Sequence, residues 1–243
     1  MSAAVTMATT RRVLMQLRSD PRTVALLVVV PSALMLLLRY AFNSAEQFSR
    51  FAPSLLGVFP FVLMFLVTSV TTLRERTSGT LERLLTTPMS KLDLLVGYGL
   101  AFSAVALAQV VVCVSVSVWA GMSIVGSFWA LLLVTALVAV LGTAIGLLAS
   151  AFAATEFQAV QFMPLIVLPQ LLLCGLFVPR SQMARPLQWV ADVMPMSYAV
   201  QALQQVATAA SLNWTYGRDL LVVVACTLAA LGLAAATLRR STR

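Results

Sequence analysis

The 243-residue chain contains no histidine, and only 10% of its residues are charged. The first absence removes imidazole acid–base catalysis and the commonest metal ligand together. The second falls well short of the roughly 25% found in ordinary soluble domains, while 60% of the residues are hydrophobic. The three cysteines, Cys113, Cys174 and Cys226, are odd in number, sit inside apolar runs and lack metal spacing. They read as small buried hydrophobes. The single lysine, Lys91, follows Ser90 and Met89, so no Gly-x-x-x-x-Gly-Lys-(Ser/Thr) phosphate loop is present. If ATP powers this protein, a separate subunit must hydrolyse it. There is no internal repeat or low-complexity linker, and no small-residue cleavage pattern follows the first apolar run. The chain therefore reads as one integral domain, 1–243, without a cleaved leader.

What is present is uncharged sequence in long runs. Leu94 to Thr155 holds 62 consecutive uncharged residues. One helix of that length would reach about 93 Å, against a hydrocarbon core of about 30 Å. The chain must turn back within the run. Gly121, Gly126 and Ser127, bracketed by Trp119 and Trp129, mark the place, because glycine breaks a helix and tryptophan suits the interface. The pattern predicts an all-α polytopic membrane protein with six spans, over residues 23–42, 51–73, 94–119, 128–152, 157–178 and 220–238.

Two regions are amphipathic but do not span. Residues 1–22 place Met7, Leu14 and Leu17 on one helical face with Arg11, Arg12 and Arg18 around it, ended by Pro21. They read as an interfacial helix near anionic headgroups, with a disordered tail as the alternative. Residues 180–211 carry two short apolar stripes, Leu187, Val190, Ala191, Met194 and then Leu203, Val206, Ala207, separated by Pro195. They read as a helical hairpin at one interface. Six spans put both termini on one side. Eleven basic residues fall on that side and five on the other, so the positive-inside rule predicts cytoplasmic termini and an outward hairpin. The net charge of +8 is then topological, and no soluble basic domain presents a nucleic-acid surface.

Residues 74–95 hold seven of the twenty-four charged residues. Thr77 or Ser78 would cap a helix start, Leu81, Leu84 and Leu85 form an apolar stripe, and Pro88 stops it. Ser90 and Asp93 then form a capping box before the long apolar run. A cytoplasmic amphipathic helix over 77–90 is predicted, placed to transmit force into the adjoining spans; a solvated, orienting loop is the alternative. Within the spans, Thr68, Ser69, Gln158, Gln161 and Gln170 are candidates for lining a pathway, with helix–helix hydrogen bonding as the competing role. A proton-driven carrier would want acidic groups at mid-membrane, but Glu46, Glu156, Asp192 and Asp219 fall at span ends or in loops. A lipid-modifying membrane enzyme would want clustered carboxylates or histidines, and the acidic residues are scattered.

The segment ERTSGTLERLLTTPMS resembles the signature that follows the second span in permease subunits of type-2 ABC exporters. Glu75, Gly79, Thr80, Glu82, Leu84, Thr87 and Pro88 match it position by position. Residues 174–203 resemble the outward hairpin of the same family, with a Gly-x-Phe-x-Pro opening and a Pro-x-Ser-Tyr close. The resemblance implies that 77–90 is a coupling helix docked on a nucleotide-binding subunit, with Glu75, Glu82 and Arg83 as polar contacts or local ion pairs. It also implies two permease chains, identical or paralogous, above two ATPase subunits that bind ATP and Mg²⁺; this chain would hold no cofactor or metal. It is most similar to drug- and antibiotic-export permeases of the plasma membrane, with lipid, glycolipid or polysaccharide export as the alternative cargo.

Overall fold

A computed structural model describes residues 3–78, 91–211 and 213–237. The described residues are helical and contain no strand. In chain order the helices are α1 (Ala3–Arg18), α2 (Pro21–Phe42), α3 (Ala45–Thr77), α4 (Lys91–Trp119), α5 (Phe128–Phe152), α6 (Glu156–Leu173), a 3-10 turn (Arg180–Gln182), α7 (Arg185–Val193), α8 (Pro195–Thr208) and α9 (Trp214–Thr237). Six of them (α2–α6 and α9) are long and apolar enough to cross a membrane.

Local chemistry sets many of the helix ends. Asp20 caps α2 by accepting from Thr23 N, with Pro21 in the first turn, and Asn43 closes the helix in the left-handed region at φ 49°. Hydrogen bonds from the Thr23 hydroxyl and backbone hold the Asp20 carboxyl below its usual range. Ser44 caps α3 through Gln47 N, and Glu46 lies in the first turn. At the end of α4, Met122 N donates to Ser117 O and Gly121 N to Val118 O, with Gly121 at φ 98°. This paired return is the Schellman arrangement, and it needs a residue that tolerates positive φ.

The core is the seam between α3 and α5. A Cβ on Gly146 would stand 2.6 Å from Phe65 O, and one on Gly142 would stand 3.0 Å from Phe61 Cα. The two glycines, four residues apart, bring the backbones together as small-xxx-small faces do in membranes. α8 packs on α3, α5 and α9 and buries Ala199, Val200, Leu203 and Val206. The turn between α4 and α5 rests on its end, where Val125 N and Gly126 N donate to Ala207 O and Val206 O.

Several expectations are corrected. α3 begins at Ala45, six residues before the predicted span, where Ser44 caps it, and ends at Thr77, four residues after it, because Arg74, Glu75 and Arg76 find partners on neighbouring helices. α6 ends at Leu173, and Gly175, at φ 92°, turns the chain away before Val178. α9 starts at Trp214, not at residue 220, since Asp219 is paired with Arg218. The face of α1 predicted as apolar is split: Leu17 is buried and Met7 is exposed. The buried face instead carries Thr6, Thr9, Thr10, Val13 and Leu17, because α1 lies directly over Gly97, where a Cβ would stand 2.7 Å from Thr9 Cβ. The two hairpin stripes also differ. That of α8 is core, while Leu187 and Val190 of α7 are exposed.

Candidate functional site at the ends of α3 and α4

Residues 79–90, with the predicted Gly79, Thr80, Glu82, Arg83, Thr87 and Pro88 and the Ser90 cap, lie outside the described residues. The helix ends that flank them are described. α3 finishes with Arg74, Glu75 and Arg76, and consecutive helical residues point in directions about 100° apart. Each therefore meets a different neighbour. Arg74 donates from Nε and Nη2 to the Glu156 carboxylate at 3.0 and 3.2 Å, tying α3 to the first residue of α6. Arg76 donates from Nη1 to Ser150 O, in the last turn of α5, where helix carbonyls lack intrahelical partners. Thr77 and Ser78 hydroxyls bond back to α3 carbonyls, so both close α3.

Glu75 points inward and is 4% exposed. Its Oε2 accepts from Arg12 Nη2 at 3.0 Å and from the Tyr98 hydroxyl. Arg12 Nη2 also donates to Tyr98 Oη at 2.7 Å, and the guanidinium carbon lies 5.7 Å from the Tyr98 ring centre. Burial by itself would lower the Arg12 pKa, but Tyr98 and Glu75 outweigh it and hold the guanidinium above its ordinary range. Glu75, expected as a polar contact to a partner or as a local ion pair, is an internal ligand of α1 and α4. A carboxylate in that turn faces the bundle, and Arg12 neutralises it there.

α1 also holds the start of α4. Thr6 Oγ1 donates to Asp93 Oδ1 at 3.2 Å, and Thr10 Oγ1 reaches Gly97 O at 3.2 Å. One helix thereby fastens both boundaries of residues 79–90, the α3 boundary through Arg12 and the α4 boundary through Thr6, Thr10 and Tyr98. Removing one member of a buried pair strands the other charge, at a cost of about 3–5 kcal/mol when burial is complete. The sequence pattern groups Arg12 with Arg11 and Arg18 and does not single out Tyr98 or Thr6. No local signal separates Arg12 from Arg18, since each directly adjoins a buried residue, Val13 and Leu17.

The far end of the bundle carries a second polar cluster. Arg180 pairs with Asp192 of α7, and Arg218 pairs with the fully buried Asp219 at 2.9 Å. The two guanidiniums stand 5.2 and 5.9 Å from the Tyr198 ring centre, and the Tyr198 hydroxyl donates to Asp192 O at 2.7 Å. Nearby, a groove of about 670 Å³ is almost wholly apolar, lined by Pro164, Leu168 and Leu172 of α6 and by Val178, Met183 and Leu187 beyond it.

The predicted pathway residues do not share one role. Thr68 is fully buried in the α3–α5 seam, with its hydroxyl unpartnered among the described residues; a Cβ on Gly146 would stand 3.1 Å from its Cβ. Ser69 bonds back to Leu66 O. Gln158 is a capping residue, accepting from Ala154 N at 2.8 Å while its own N–H bonds Thr155 Oγ1. Gln161 is exposed. Gln170 is buried, donating to Ile166 O at 3.3 Å, and its Oε1 has no partner among the described residues. A further buried amide, Gln109 in α4, has neither polar atom partnered there.

A family model described as ABC-2 type transporter matches residues 4–207. The chain is 28% identical over 197 residues to the probable multidrug ABC transporter permease YbhR of Escherichia coli (strain K12), an alignment covering 79% of this chain and 54% of that one. It is 26% identical over 198 residues to the probable multidrug ABC transporter permease YbhS of the same organism, covering 80% and 52%. It is 24% identical over 166 residues to ABC transporter G family member 20 of Dictyostelium discoideum, covering 68% and 23%. The chain spans about half the length of the two bacterial relatives and about a quarter of the third.

Proposed function

Because the chain belongs to the ABC-2 type transporter family, we propose that it is the membrane permease of an ATP-driven exporter, moved by separate nucleotide-hydrolysing subunits that dock on residues 77–90. The observation that carries this reading is the bracing of both ends of that segment by α1. A push on 79–90 would reach α3 and α4 directly. From the last turn of α3 it would pass to α5 and α6 through Arg76 and Arg74. Gly79, Thr80, Glu82, Arg83, Thr87 and Pro88 form the docking surface in this reading, and Glu75 acts behind it by holding the α3 boundary.

Two ATPase subunits and a second permease chain complete the transporter. The exposed row Phe157, Leu165, Leu168 and Leu172 on α6 supports a membrane-buried partner or cargo there. The apolar groove favours hydrophobic or amphiphilic cargo, and the relatives named as multidrug permeases favour drug or antibiotic efflux over lipid or polysaccharide export. The end bearing Arg12, Glu75 and the termini faces the cytoplasm of the plasma membrane by charge bias.

The test is transport by the chain together with an ATPase subunit in vesicles. Substitution of Gly79 or Glu82 should abolish ATP-dependent transport while membrane insertion is retained. Normal transport by both variants, or transport by the chain alone on a proton gradient, would refute the reading. Cysteines introduced at residues 85 and 185 should label from opposite sides of the membrane.

A further inference from the structure

The face of α1 turned away from the bundle has a composition of its own. Met7, Arg11, Met15 and Arg18 fall within about 80° of arc on an ideal helix, and all four are exposed, Met7 at 63% and Met15 at 55%. Neither Arg11 nor Arg18 has an ion-pair partner among the described residues. Only Ser19 and Asp20 separate α1 from α2, whose outer face is apolar through Leu26, Val29 and Leu37. α1 therefore joins the bundle at the level where a spanning helix enters hydrocarbon. Exposed thioethers there lose contact with water by dipping into the interface, and guanidiniums beside them reach anionic headgroups.

The opposite side of the same helix carries Thr6 and Thr10, with Arg12 at its edge, the groups that hold α4 and α3. We propose that the Met7–Arg11–Met15–Arg18 face binds anionic phospholipid, and that this occupancy sets the position of residues 79–90 through Arg12 and Thr6. The lipid contact stands by itself; the regulatory half rests on the reading of 79–90 as the coupling segment. The occupant is an anionic lipid and not an acidic protein surface, because the cations alternate with apolar methionines and adjoin a membrane entry point.

The experiment uses the full-length chain in nanodiscs of phosphatidylcholine alone or with phosphatidylglycerol, and reads lipid retention by native mass spectrometry. Retention of phosphatidylglycerol should fall by about fivefold for each of Arg11→Gln and Arg18→Gln, and should weaken at high salt. Gln182→Ala, an exposed change outside the spans, should leave it unchanged. In a chain with Leu85→Cys and the three native cysteines replaced by alanine, phosphatidylglycerol should change the Leu85→Cys labelling rate severalfold. The double variant R11Q/R18Q should abolish that response. Equal retention by R11Q/R18Q and the parent overturns the lipid site. Loss of retention with no change in labelling overturns its link to 79–90. Retention that appears only on adding an ATPase subunit assigns the face to protein contact and also overturns the proposal. Failure of the chain to bind any ATPase, by contrast, would strike the coupling reading and leave the lipid result standing.

Discussion

At one end of the bundle Arg12 reaches Glu75 across 63 residues of chain, whereas at the other Arg180 reaches Asp192 across 12. Both ends use arginine, carboxylate and tyrosine. At the first, the Tyr98 hydroxyl lies inside the ion pair and joins three separate helices. At the second, the Tyr198 ring lies against two guanidiniums, and each salt bridge closes within its own short stretch of chain. The first end is a brace between distant elements; the second is a local clasp on the hairpin. The lipid-facing chemistry differs as well. All four tryptophans, Trp119, Trp129, Trp189 and Trp214, are exposed at the clasp end, where indoles suit the headgroup level. The brace end carries arginines instead. A segment that must transmit force is better flanked by the arrangement that spans helices, because local pairs move with the element that owns them.

The sharpest way to break the contrast is Glu75→Gln. It should destabilise by about 2–3 kcal/mol, discounted from a fully buried pair because the Arg12 side chain is 32% exposed. The double variant Arg12→Met, Glu75→Met should recover most of that in thermal unfolding in detergent, while still failing to couple. An unchanged Tm for Glu75→Gln would remove the brace from the account. Next comes the seam that joins the two ends. Gly146→Val should cost about 1–3 kcal/mol by overpacking, read as a lowered Tm, whereas Gly99→Ala, with nothing within 4 Å, should be neutral or slightly stabilising.

A smaller test compares the two tyrosines. Tyr98→Phe should cost about 1–2 kcal/mol, since it removes a hydroxyl bonded to charged groups. Tyr198→Phe should cost about 0.5 kcal/mol, because the ring contacts survive the loss of one exposed hydrogen bond. Equal effects would erase the distinction between brace and clasp. The smallest effect is expected at the exposed Arg74–Glu156 pair. Arg74→Gln should shift stability by less than about 1 kcal/mol, and the shift should fade as salt rises.

Much of the fold was legible because hydrocarbon imposes length and composition directly. The turn between α4 and α5 falls at Trp119–Phe128 as Gly121 requires, and the six long helices follow from the uncharged runs. The charged ends were less legible. Arg74, Glu75 and Arg76 looked like the close of a span, yet the helix continues through them because α1, α5 and α6 supply their partners. Among the candidate lining residues, Gln158 looked like a membrane amide and is a helix cap, which the Thr155-x-x-Gln158 spacing announces in retrospect. Nothing in the local pattern singled out Gln109 or Tyr98, whose burial depends on helices far away in sequence.

The order of residues alone determined that this chain lives in a membrane, how many helices cross it, and where it must turn, since those properties depend on apolar length and on glycine, proline and capping chemistry within a few positions. Only the tertiary structure decided which of the basic residues of α1 is an internal partner and which face outward, and that Glu75 is held inside. An ion pair between groups 63 residues apart leaves no trace in local periodicity; it exists because two helices happen to be brought side by side.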